Sequence, residues 1–216
     1  MKFKIINLLL FCAITLGFRT IYSKHRWAIW NGSESDRKLF VTYTNADSEI
    51  PNDLVDDVLS GTDTITVEQA MDSIFDDYNS IGASYLILVD TDDVDYTEED
   101  ASNRIIEITF NGASGLSSGE AQYETNSDGK IEKCVINMGE DSLESAKDFI
   151  QIMTHELGHC AGLAHPQDTV NAIMSYYARS SDVRLLMDDK MGLTYLYPID
   201  AGAGHEKSTY GLSCGL

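Results

Sequence analysis

The stretch Thr154 to Pro166 reads THELGHCAGLAHP and constrains the fold more than any other part of the chain. His155 and His159 stand four residues apart, so on an α-helix both imidazoles leave one face, one turn apart, and can share a metal ion. Glu156 sits one residue off that face, near enough to hold a water at the metal without entering its coordination sphere. Gly162 follows His159 by three residues, where a helix can end in the left-handed conformation. The chain can then reverse and present His165 as a third nitrogen ligand. Three histidines with one open position suit catalytic zinc, whereas structural zinc sites are closed by four protein ligands and rich in thiolate. A bare HExxH arises by chance on amphipathic helices. The glycine and third histidine at these offsets separate this segment from that case.

The surrounding sequence supplies the helix. From Ser142 onward, Leu143, Ala146, Phe149, Ile150, Met153, Leu157 and Cys160 fall roughly on one face. An earlier helix opens at Thr66 as N-cap, carries Val67, Ala70, Met71, Ile74, Phe75 and Tyr78 at helical spacing, and stops at Gly82. Lys38–Thr44, Ser84–Val89, Arg104–Phe110 and Lys130–Met138 are rich in β-branched and apolar residues and read as strands. Asn45–Gly61 reads as an acidic loop with a stop at Pro51, and the Gly- and Ser-rich stretch Asn111–Gly129 as mostly loop. Asp90–Asp100 is dense in carboxylates and offers hard oxygen ligands to a structural calcium ion. It lacks the EF-hand spacing, so a solvated loop is the simpler reading. The order of elements predicts a mixed α/β body with one sheet and few helices.

At 216 residues the chain has room for one domain. Against 15 Lys and Arg stand 35 Asp and Glu, a net charge of −20 that repels phosphate backbones and anionic lipid, so neither nucleic acid nor a stable membrane partner is expected. Residues 1–23 have signal-peptide anatomy: Lys2 and Lys4, an apolar run from Ile5 to Phe18, then a short polar exit. This predicts a secreted, extracellular or periplasmic protein, anchored to a membrane only if the apolar run is retained. Cleavage would remove Lys2, Lys4 and Arg19 and no acid, taking the charge of −20 down by three to −23. The expected organisation is a leader over 1–23, a catalytic body over 24–200 and a Gly-rich tail over 201–216.

In these residues the sequence resembles the metzincin clan of zinc metallopeptidases, whose HExxHxxGxxH pattern is matched in full by His155 through His165. The clan also places a methionine in a tight turn beneath the metal, and Ala172-Ile173-Met174-Ser175-Tyr176 stands where that turn is expected, with Met174 the matching residue. Leu186–Tyr197 looks most like the last helix of a matrixin-type catalytic domain, with Asp188 as N-cap. Arg37–Thr44, preceded by His25-Arg26-Trp27, looks like the opening of such a domain. The resemblance covers about residues 26 to 198 and is strongest over 155 to 176. It implies an α+β fold with one twisted mixed sheet of about five strands and about three helices, the active-site helix beneath the sheet, and a small C-terminal subdomain.

The resemblance further implies a monomeric zinc endopeptidase acting on protein or peptide substrates. His155, His159 and His165 would bind the metal, Glu156 would be the general base, and Gly162 and Met174 would support them. Met174 is followed by Ser175-Tyr176, as in astacin-like and serralysin-like relatives, where the tyrosine stabilises the oxyanion; Tyr176 is the candidate here. Substrate would lie extended along Lys130–Met138 as an edge strand. Cys134 and Cys160 belong to elements expected to pack together and form the preferred disulfide, leaving Cys214 unpaired. The rival reading is a catalytically silent binding protein or adhesin that has kept the zinc site.

Overall fold

β-Branched strands collect around Lys38–Tyr43, and the computed structural model shows why Leu39, Phe40 and Val41 are buried in succession: this strand has a parallel neighbour on either side. The structure describes residues 19–20, 25–29, 32–94, 104–110, 119–166, 169–176 and 182–199. In chain order the strands are β1 (Arg19–Thr20), β2 (Arg26–Trp27), β3 (Lys38–Tyr43), β4 (Glu49–Pro51), β5 (Thr64–Thr66), β6 (Ile87–Asp90), β7 (Ile105–Thr109), β8 (Gly119–Thr125), β9 (Lys130–Met138) and β10 (Leu163–Ala164). The helices are α1 (Val67–Asn79), α2 (Ala146–Cys160) and α3 (Met187–Leu196).

The main sheet runs β6-β3-β7-β9-β8, parallel except for β8, with the short β2 added in parallel to the start of β9. The expected mixed sheet with three helices is therefore present, with six strands in place of five. On β7 the residues Ile106 and Ile108, and on β9 Cys134, Ile136 and Met138, alternate inward onto the helices.

α1 begins as predicted. The Thr66 hydroxyl accepts the Gln69 N–H at 3.1 Å while the Gln69 side chain accepts the Thr66 N–H at 2.9 Å, a reciprocal cap. The buried face is the predicted one, Val67, Ala70, Met71, Ile74, Phe75 and Tyr78, joined by Ser73. The helix stops at Asn79, ahead of Gly82, because the Asn79 amide turns to Leu88, donating to its carbonyl and accepting its N–H at 2.9 and 2.8 Å. That pairing covers the outer edge of β6. α2 starts at Ala146, later than Ser142, after a short 3-10 turn over Glu140–Leu143. Its cap is Ser145, and the Asp53 carboxylate accepts from both Ser145 Oγ and the Lys147 N–H at the positive end of the helix. The two helices touch where the buried Tyr78 hydroxyl donates to the Thr154 carbonyl at 2.7 Å.

Two stretches read as loop each contain a strand. The acidic stretch around Pro51 contains β4, which pairs antiparallel with β5. Within Asn111–Gly129 lies β8, whose sequence GEAQYET lacks the apolar alternation of a core strand because it is half-exposed. It follows that Lys130–Met138 is not an edge strand: β9 lies between β7 and β8, and among the described residues β8 pairs with no strand on its other side. Strand structure in Ser84–Val89 is shorter than expected and begins at Ile87.

Cys134 and Cys160 form the expected disulfide, Cα–Cα 5.6 Å, tying β9 to the last residue of α2. Residues 1–18 and 21–23 of the expected leader, the tail 201–216 with Cys214, and residues 95–100 of the carboxylate loop lie outside the described residues. Arg19–Thr20 pairs antiparallel with Leu163–Ala164. No helix among the described residues is long and apolar enough to cross a membrane.

Candidate metal centre

α2 ends where the second histidine has just been delivered, and tertiary contacts satisfy its last carbonyls. Trp27 Nε1 donates to the Cys160 carbonyl and the Tyr197 hydroxyl to the Ala161 carbonyl, both at 2.8 Å. Gly162 then turns the chain at φ +97°, and a Cβ there would fall 2.6 Å from the His25 carbonyl oxygen. Any side chain is excluded twice, by conformation and by space. The two residues of β10 carry the chain back to His165.

His155 Nδ1 donates to the Ile173 carbonyl and His159 Nδ1 to the Leu163 carbonyl, both at 2.9 Å. With the proton held on Nδ1, the Nε2 lone pair of each ring is left to face the centre. The Nε2 atom of His165 lies 2.9 Å from that of His155 and 3.1 Å from that of His159. Three Nε2 atoms this close suit a shared cation, and the separations approach the edge of about 3.3 Å of a tetrahedron with zinc–nitrogen bonds near 2.0–2.1 Å. Among the described residues these three are the group of His, Cys, Asp and Glu able to share a metal. Burial lowers the His155 pKa, burial and then His155 push His159 down to about 4, and burial followed by His155 lowers His165. The rings are therefore neutral, as ligands must be. The donor set fits zinc.

Glu156 is 8% exposed, and burial lifts its carboxyl to about 7. Its Oε2 accepts the Ala121 N–H of β8 at 2.8 Å, which leaves Oε1 for other work. Gly119 makes this approach feasible, since a Cβ there would lie 2.9 Å from Glu156 Cγ and 2.8 Å from Ile152 Cγ2. Met174 is buried beneath α2, and a Cβ on Gly158 would collide with its sulfur. Tyr176 is 70% exposed, and its ring centroid is 4.0 Å from that of His165.

The sequence-predicted residues His155, Glu156, His159, Gly162, His165, Met174 and Tyr176 thus come to one place. Asp188 is not the N-cap of α3; Leu186 holds that position, and Asp189 reaches back to accept its N–H at 2.9 Å. Four residues of the centre escape a reading of the sequence: Gly119, Ala121, Gly158 and Asp189. Only the Asp188-Asp189 pair carried a signal, and it suggested the wrong member.

A family model described as Matrixin matches residues 87–198, just over half of the chain, from β6 through α3. A comparison with curated proteins finds no match. Among solved structures, one titled "GM1 bound form of the ECX AB5 holotoxin" is similar with a TM-score of 0.51 at 10% identity, covering 79% of this chain and 84% of that one. At that identity the likeness is one of fold.

Proposed function

The chain belongs to the matrixin family of zinc metallopeptidases, and from that premise we propose a secreted zinc-dependent endopeptidase that hydrolyses peptide bonds of protein substrates. The observation that carries the proposal is the convergence of three Nε2 atoms beside a buried carboxylate that is held by a strand whose outer edge is unpaired among the described residues.

His155, His159 and His165 would hold the zinc. When bound, zinc supplies Lewis acidity toward water and the scissile carbonyl. Glu156 acts as general base: Ala121 fixes Oε2, and Oε1 takes the proton of the attacking water and passes it to the leaving amine. An elevated pKa suits this two-way transfer, because the group must both accept and release a proton near neutral pH. Substrate lies extended along β8, whose outward-facing backbone groups, apart from the Ala121 N–H that Glu156 takes, can extend the sheet by one strand. Tyr176 donates its hydroxyl to the developing oxyanion; its exposure and its contact with His165 support that role. Secretion rests on the leader-like residues 1–23.

The deciding experiment compares the purified protein with its Glu156→Gln variant. We expect equal zinc content in both and cleavage of a quenched peptide by the parent alone, blocked by 1,10-phenanthroline. Loss of hydrolysis in Glu156→Gln should reach about 10²-fold or more. Zinc in the parent without turnover on any denatured protein would favour the silent binding protein.

A further inference from the structure

One buried carboxylate beneath the centre has no part in this chemistry. Asp189, in the first turn of α3, is 2% exposed. Its hydrogen bonds among the described residues all come from backbone N–H groups: Ile173 at 2.7 Å and Leu186 at 2.9 Å to Oδ2, and Met174 at 3.3 Å to Oδ1. The adjacent cation, Lys190, is turned away to Asp77 at 3.0 Å. Burial therefore raises the Asp189 pKa against the opposing pull of these three donors. An anion so buried calls for a positive charge nearby, and two of its three donors, Ile173 and Met174, lie in the turn that also holds His155 of the triad.

A single peptide group connects them. The carbonyl of Ile173 accepts His155 Nδ1–H at 2.9 Å, and the N–H of that same peptide, on Met174, donates to Asp189. A carboxylate drawing on the N–H end polarises the peptide and strengthens its carbonyl as acceptor. A stronger acceptor on Nδ1 makes Nε2 the better ligand, the effect that a carboxylate in direct contact with a metal-binding histidine produces. Here the effect is relayed through one amide.

We propose that Asp189 is the buried counter-charge of the metal centre and a positioning residue that acts on His155 through the Ile173–Met174 peptide. This rests on the reading of His155, His159 and His165 as the metal ligands. It differs from a purely structural anchor, which would hold the turn under Met174 without altering metal affinity.

The test uses the full chain, stripped of metal and titrated with zinc against a chromogenic chelator, for the parent and Asp189→Asn. Asparagine keeps the size and one acceptor oxygen but removes the charge. The expected result, read at a temperature where the metal-free variant is folded, is zinc binding weakened about 10- to 100-fold and a displaced visible spectrum of the cobalt-loaded protein. Zinc bound by Asp189→Asn within about threefold of the parent would overturn the proposal and leave the metal site intact. Failure of the parent itself to bind zinc would overturn both. If Asp189→Asn does not fold, the parent's amide resonances decide: zinc should move the Met174 N–H downfield, and an unmoved Met174 resonance refutes the relay.

Discussion

Gly119, Gly158 and Gly162 are each kept bare by a different neighbour, and the distinction sets what their substitution does. At Gly162 the obstacle is backbone, the His25 carbonyl, which cannot yield. At Gly119 it is the side chains of Glu156 and Ile152, which can. Gly119→Ala should therefore fold, retain zinc and lose about 10²-fold in kcat with little change in KM, since displacement of a catalytic group by about an ångström is enough. Steady-state kinetics beside zinc content check this; an unchanged kcat would mean that β8 does not hold Glu156. His155, Glu156 and His159 were legible in the sequence because their spacing on one helix is local, and His165 because it follows the helix-ending Gly162 at a short fixed offset. Gly119, Gly158 and Asp189 were not, because each answers to a partner on a distant element: Glu156, Met174 and Ile173 respectively.

At the level of elements, apolar periodicity located both long helices and the parallel strands β3, β7 and β9, where burial on a helix face or in the sheet demands a regular pattern. It missed β8, since a half-exposed edge strand beside a cleft has no apolar face to repeat. That omission displaced the expected substrate edge onto β9. The disulfide joins these elements at the end of α2 that carries His159. Replacing Cys134 and Cys160 by Ser should lower stability by about 3 kcal/mol, read from denaturant unfolding. It should also weaken zinc binding, because the bond lies one residue from a ligand. Full retention of both would show that Trp27 and Tyr197 alone secure the helix end.

For the molecule as a whole, the charge of −20 surrounds a centre whose three imidazoles are held neutral by burial. A lowered histidine pKa weakens proton competition for the metal. Between pH 7.5 and 5.5, three ordinary histidines would lose about 10³-fold in apparent zinc affinity, whereas this site should lose less than about a hundredfold. Chelator competition at the two pH values measures it, and a loss of the full thousandfold would contradict the burial of the triad.

The local pattern of residues was enough to specify a helix bearing two metal ligands, the glycine that ends it, the third histidine beyond and the cysteine pair, because each depends on helical spacing or on neighbouring elements. Strand order, the β8 edge, the grip of Ala121 on Glu156 and the carboxylate under Met174 required the folded chain. Those arise where residues far apart in sequence meet in a packed interior, and hydrogen bonds and excluded volume between such residues leave no periodic trace along the chain.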